Sequence, residues 1–184
     1  VGSSHPGDQP ASRNRRAAQT TIYYVLDHIV RLIAPIVSFT SDEVWQFMPD
    51  RDTDSVHLAE FPEIKRQWLD DKLSETWDIL LRAKTEVAKA LENARKDKVI
   101  GHSLDAWVKM STEGELKDIL GNYVETFKEI LIVSQISLLD KGDGFDGTEV
   151  IFESQEIKNL KIGISKAKGK KCERCWNYSE RVGE

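Results

Sequence analysis

From Ala17 onward the apolar residues Ala18, Ile22, Val25, Leu26, Ile29, Val30 and Ile33 recur at intervals of three and four, the period of a helix with one apolar face. Pro35 has no backbone donor and crowds the preceding turn, so it ends or kinks that helix. A second, short helix is expected next: Thr40 is placed to cap it, Glu43 to reciprocate, Val44, Trp45 and Phe47 to make its apolar contacts, and Pro49 to stop it. Residues 50–62 are turn-rich and then extended, a crossover whose Val56, Leu58 and Phe61 are available to lie across a bundle. The longest periodic segment, 70–98, carries Leu73, Trp77, Leu80, Val87, Leu91 and Ala94 on one face and Glu, Lys and Asp on the other, predicting a long helix packed on the first.

Beyond Gly101 the period changes. Residues 106–111 read as a strand, 115–130 as a helix broken near Gly121, 131–139 as a β-branched strand, and 149–154 and 160–165 as two further strands around loops. There is no internal repeat. The expected fold is mainly α with an α+β appendage: a helical bundle, a small α+β domain, then a short cysteine-bearing end. The corresponding divisions are a flexible lead-in or cloning remnant at 1–11, the helical domain at 12–98, the α+β domain at 99–168 and the terminal module at 169–184.

At 184 residues the chain is long enough for a real core without disulfide staples. No apolar run approaches the roughly 20 residues that span a bilayer, and the opening lacks the apolar stretch of a signal peptide, so no membrane partner is expected. The net charge of −5 is unevenly spread: 155–184 holds eight Lys or Arg against four Glu, a local +4, leaving −9 elsewhere. An acidic body with a basic end suits a protein that presents one surface to a polyanion, though such tails also serve solubility alone. The only cysteines, Cys172 and Cys175, form a Cys-x-x-Cys pair, which in a cytosolic setting means metal or redox chemistry rather than a structural disulfide.

Three strings carry a resemblance. Residues 29–45, Ile-Val-Arg-Leu-Ile-Ala-Pro-Ile-Val-Ser-Phe-Thr-Ser-Asp-Glu-Val-Trp, resemble the helix-Pro-helix element in the anticodon-binding bundle of the isoleucyl, valyl and leucyl class I tRNA synthetases. Residues 90–106, from Ala90 through Asn93, Gly101 and His102 to Ala106, look like the junction after that bundle in bacterial isoleucyl enzymes. Lys171-Cys172-Glu173-Arg174-Cys175-Trp176-Asn177-Tyr178 is similar to the first half of their carboxy-terminal zinc module, and favours isoleucyl over valyl or leucyl. The resemblance implies a zinc held by two cysteine pairs, of which Cys172 and Cys175 would be one: half of a tetrahedral site, with the chain stopping at Glu184 before a second. It also implies isoleucine-accepting tRNA as partner, a cytoplasmic location, and catalytic and editing domains elsewhere in the parent chain, where ATP and Mg would bind.

Trp176 and Tyr178 stand among Lys170, Lys171 and Arg174, the mixture of rings and cations that holds unpaired bases by stacking and phosphates by charge. The bland alternative is that Trp176 covers the cysteine turn. Arg13, Arg15 and Arg16 stand ahead of the first helix, placed to meet an RNA backbone or simply to be solvated. Arg95, Lys96 and Lys98 suit a helix carboxy end.

Two strings mimic catalytic motifs. Val99-Ile100-Gly101-His102 and Lys109-Met110-Ser111-Thr112 are like the two signature motifs of class I synthetases. Each lacks a defining residue, and they lie within about a dozen residues of each other, whereas the true motifs flank a nucleotide-binding fold. His5, His28, His57 and His102 form no catalytic or metal constellation. The sequence therefore reads as a tRNA-recognition piece that is inactive alone. Its rivals are the equivalent region of a valyl or leucyl enzyme, a stand-alone helical interaction module, and a thiol redox enzyme.

Overall fold

The computed structural model describes residues 13–140 and 143–182. The expected lead-in at 1–11 and His5 lie outside the described residues. The chain divides into two compact units, one ending at Leu69 and one beginning at Asp70.

In the first unit α1 (Arg13–Ile33) takes in Arg13, Arg15 and Arg16, which the sequence placed ahead of the helix. The chain then turns on backbone N–H groups of Ile36 and Val37, which donate to the Ile33 carbonyl at 2.9 Å each, and enters α2 (Ser38–Phe47). Thr40 is not its cap. The helix starts two residues earlier, because the turn leaves the Val37 carbonyl ready to accept from Ser41 N–H at 2.9 Å, and Val37 caps with no side-chain bond. The acid that matters here is Asp42. Its carboxylate accepts from Ser55 Oγ at 2.6 Å and Val56 N–H at 3.1 Å, which pins the crossover to α2. The Ser55 bond, with the Val56 bond behind it, holds that carboxyl below its ordinary range.

Val30, Ala34, Trp45, Met48 and Val56 form this unit's buried core, flanked by Tyr23, Val44 and Ala59. Trp45 can sit fully inside because its indole N–H finds the Thr53 carbonyl at 3.0 Å. Arg31 stacks over the Trp45 ring at 4.7 Å and pairs with Asp27 at 2.9 Å and Asp52 at 3.3 Å, tying α1 to the crossover. Of the apolar stripe expected on α1, only Val30 is buried; Ile22, Val25 and Ile29 remain exposed, as do Leu58 and Phe61 of the crossover. Two helices and one crossover offer a single internal face, and the stripe is wider than that face.

The second unit begins with α3 (Asp71–Lys96), capped by Asp70, whose carboxylate accepts from Leu73 N–H at 2.9 Å. The stretch read as 12–98 is thus divided, with α3 sharing a core with the strands that follow. Its buried face combines Leu80, Val87 and Leu91 with Ala83, Ala90 and Ala94, whose small side chains let the helix approach a sheet closely. The sheet has the order β2-β1-β4-β3, from β1 (Ala106–Ser111), β2 (Gln135–Leu139), β3 (Val150–Glu153) and β4 (Lys161–Lys166). β1 runs parallel to β2 across the crossover helix α4 (Glu115–Leu131), and antiparallel to β4. α3 packs on β3 and β4, α4 on β2, and the two helices on each other. Four α-helices and a small mixed sheet among the described residues give the α-rich, α+β character that the periodicities predict.

The strand expected from 131 begins only at Gln135. Ile132 takes the left-handed conformation, φ 55°, and closes α4 by donating to the Glu129 carbonyl, so its β-branched side chain ends a helix rather than starting a strand. The irregularity expected near Gly121 falls instead at Tyr123, φ −120°.

One buried charge links α3 to the sheet. Glu86, 2% exposed, accepts from Lys89 Nζ and from Ser154 Oγ, each at 2.6 Å. Burial pushes its carboxyl upward, but the Lys89 and Ser154 hydrogen bonds and the Lys89 charge outweigh that and leave it below its ordinary value of 4.5. A depressed carboxyl contributes stability above its unfolded value and loses it as pH falls through the folded one. Glu86→Gln should therefore lower stability by about 1.5 to 3 kcal/mol at neutral pH. In urea titrations the gap to wild type should close as pH drops below about 4.5; a gap independent of pH would assign the loss to packing.

Candidate nucleic-acid interface

The last described segment folds back on itself as a hairpin that sequence periodicity did not reveal: β5 (Lys170–Lys171) pairs antiparallel with β6 (Tyr178–Ser179). Gly169 makes the entry. Its φ is +95°, and a Cβ there would fall 2.3 Å from the Ser179 carbonyl carbon, so no other residue permits this approach. Between the strands, Cys172 N–H donates to the Asn177 carbonyl and Trp176 N–H to the Cys172 carbonyl, both at 2.8 Å. Closing that turn holds Trp176 at φ 63°, a conformation that costs a non-glycine residue about 1 to 3 kcal/mol.

The turn places both cysteines together. Both are free thiols, Cys172 half-buried and Cys175 exposed. The Cys172 sulfur receives backbone hydrogen bonds from Cys175 and then Arg174, and a side-chain bond with Cys175, all lowering its thiol below the ordinary 9.0. Backbone N–H groups aimed at a sulfur stabilise thiolate, the form that ligates metal. These two residues fit half of a four-ligand site, and among the described residues no group of three or more His, Cys, Asp or Glu stands ready to hold an ion.

Around the turn stand the predicted cations and rings. Lys171 Nζ lies 5.7 Å from the Trp176 ring centre and 6.0 Å from that of Tyr178. Trp176 is 61% exposed, so its ring does not serve as a buried lid over the turn. Lys170 and Arg174 are exposed as well, which brings all five predicted residues onto one hairpin. Arg13, Arg15 and Arg16 are exposed in the first turns of α1, in the other unit, with no acidic residue in that first turn. Cations at a helix amino end are opposed by its dipole.

The hairpin is tied to the sheet by residues that the sequence reading missed. Ser134 Oγ accepts from Tyr178 N–H at 2.8 Å and donates to the Leu104 carbonyl. The Gln135 amide clamps Lys168, accepting from its N–H at 2.9 Å and donating to its carbonyl at 3.0 Å. Lys168 Nζ also lies 4.8 Å from the Trp107 ring centre, as Lys109 Nζ does at 4.6 Å. No sequence signal marks Ser134 or Gln135, because both bonds are set by tertiary register.

The two catalytic look-alikes occupy ordinary structural positions. Residues 99–102 form the loop after α3, while Lys109 is 8% exposed inside β1 and donates to the Asp146 carbonyl. His28, His57 and His102 are scattered between the two units. No helix among the described residues is long and apolar enough to cross a membrane.

The family model for the anticodon-binding domain of tRNA ligase matches residues 3–110, and that for a zinc finger found in FPG and IleRS matches residues 169–184. The isoleucine--tRNA ligase of Geobacter sulfurreducens is 45% identical over 169 residues, covering 92% of this chain. That of Syntrophotalea carbinolica is 46% identical over 172 residues, again 92% of the chain. That of Carboxydothermus hydrogenoformans is 43% identical over 175 residues, or 95% of the chain. The chain spans only 18% of the length of each of these relatives. With more than half its length matched by the first family model, the chain belongs to the anticodon-binding domain family of tRNA ligases.

Proposed function

We propose that this chain is the tRNA-reading part of an isoleucine--tRNA ligase, and that the hairpin of the second unit meets the anticodon loop of isoleucine-accepting tRNA. The observation that carries this reading is the gathering of Lys170, Lys171, Arg174, Trp176 and Tyr178 on one tethered turn. Unpaired bases stack on exposed rings while neighbouring cations hold phosphates. Arg13, Arg15 and Arg16 add backbone contacts from the first unit. Activation of isoleucine with ATP and Mg, and editing, belong to other domains of the cytoplasmic parent protein. In functional terms the division remains a helical part at 12–98, a junction at 99–168 and the zinc module at 169–184.

Cys172 and Cys175 supply two of the four ligands that a structural zinc requires, and bound zinc would lock the turn that displays Trp176. The full-length protein should hold about one zinc at this module in tetrahedral geometry. Cys172→Ala should remove it by elemental analysis after dialysis, while retention would place the site elsewhere.

Trp176→Ala in the zinc-loaded full-length protein should cost about 1 to 3 kcal/mol in tRNA affinity. The loss should fall on isoleucine tRNA more than on an unrelated one. Lys170→Ala with Lys171→Ala should instead weaken all RNAs alike and flatten the salt dependence. Equal binding of both tRNAs, unchanged by Trp176→Ala, would reduce the ring to packing and defeat the proposed reading.

The chain alone should be catalytically silent. Isoleucine-dependent exchange of pyrophosphate into ATP is expected to stay at the no-protein background, and any excess would restore a catalytic role to residues 99–102 or 109–112.

A further inference from the structure

Between the carboxy end of α3 and the hairpin, the second unit opens into a groove of about 630 Å³ lined by Arg95, Lys98, Gly101, Asp105, Lys166 and Tyr178 among others. Arg95 and Lys98 come from the end of α3, where the helix dipole favours cations. Lys166 comes from the end of β4, where no such dipole acts. The one carboxylate of the lining, Asp105, is already engaged: it accepts from Gly101 N–H at 3.1 Å and His102 N–H at 2.8 Å. Arg95 is held in place by Glu92 at 2.9 Å and Ser103 at 2.7 Å. Lys98 and Lys166 are exposed and, among the described residues, make no ion pair.

Lys98 also sits at φ 59°, just past the helix, where glycine or asparagine is the usual residue. A lysine there bears a conformational cost that its backbone role does not require. Cations from two elements therefore converge on one concave surface: Glu92 pairs with Arg95 and Asp105 is turned to backbone donors, so Lys98 and Lys166 leave the groove net positive.

The groove is continuous with the base-stacking hairpin, because Tyr178 belongs to both. A small anion would fill only the groove. A single-stranded nucleic acid, with regularly spaced phosphates and unpaired bases, has the chemistry to occupy groove and hairpin together. Resting on the tRNA reading above, we propose that this groove is a phosphate track: it takes the backbone of the single-stranded loop whose bases meet Trp176 and Tyr178, with Lys98 and Lys166 as the phosphate contacts. Arg95, fixed by Ser103 and Glu92, shapes the same wall.

The test is tRNA affinity of the zinc-loaded full-length protein measured across a salt series. Each phosphate contact contributes a log-log slope of about −0.7 to −0.9, so Lys98→Ala with Lys166→Ala should flatten the slope by about 1.4 to 1.8. The flattening should be the same for a tRNA with an altered anticodon, whereas Trp176→Ala should leave the slope unchanged. Lys98→Arg with Lys166→Arg should restore it, which separates lost charge from lost folding. Lys84→Ala with Lys158→Ala removes the same charge from exposed lysines outside the groove and should leave the slope nearly unaltered. An unaltered slope in the Lys98 and Lys166 double variant, or equal flattening in the control pair, overturns the track and leaves the hairpin reading standing. Salt-insensitive tRNA binding by the wild type overturns both.

Discussion

Two strands of two residues each bury too little to hold themselves, so the placement of the hairpin depends on the bonds it makes to the start of β2. Ser134 and Gln135 provide them, one residue receiving Tyr178 and the next gripping Lys168 through both amide atoms. Those two residues hold their positions only because Gln135 opens the strand paired in parallel with β1. The exposed Trp176 and the half-buried Cys172 are therefore positioned by sheet residues far away in sequence, since Ser134 and Tyr178 are 44 positions apart. The hairpin that carries the two rings is held by backbone donors and acceptors.

The charge distribution follows a related division of labour. Carboxylates in the body are used internally: Asp42 pins a crossover, Asp27 and Asp52 hold Arg31, Glu86 joins α3 to the loop after β3, and Asp105 closes the loop after α3. The donors around Asp42, Glu86 and Asp105 hold those carboxyls below their ordinary values, so part of the body's acidity is structural. Arg95 of the groove is held by Glu92 and Ser103, but Lys98 and Lys166 make no ion pair among the described residues. Net charge alone, at −5, gives the opposite impression, because it averages occupied acids with available cations.

The cysteine pair illustrates how one spacing serves different chemistries. Cys-x-x-Cys is compatible with redox exchange or with metal ligation. In this chain the pair lies on a hairpin turn opened by Gly169, with backbone N–H groups converging on the Cys172 sulfur, rather than at the amino end of a helix. The family match to a zinc finger over residues 169–184 agrees with that turn.

Much of the architecture was legible in the linear pattern, because helix and strand periods are local properties. The α3 stripe and the strands around Val108 and Ile162 follow from which side chains avoid water, and the stop at Pro35 from a ring that has no backbone donor. The clustering of rings and cations beside the cysteine pair was legible as well, since those residues are adjacent in sequence. What only tertiary structure decided was partnership. Whether Ile132 starts a strand or ends a helix, and whether α3 shares a core with α1 or with the sheet, depends on contacts between residues far apart in sequence. The convergence of Lys98 with Lys166 was hidden for the same reason: each lysine has an unremarkable local setting, and only pairing of β4 with β1, beside the end of α3, brings them to one groove.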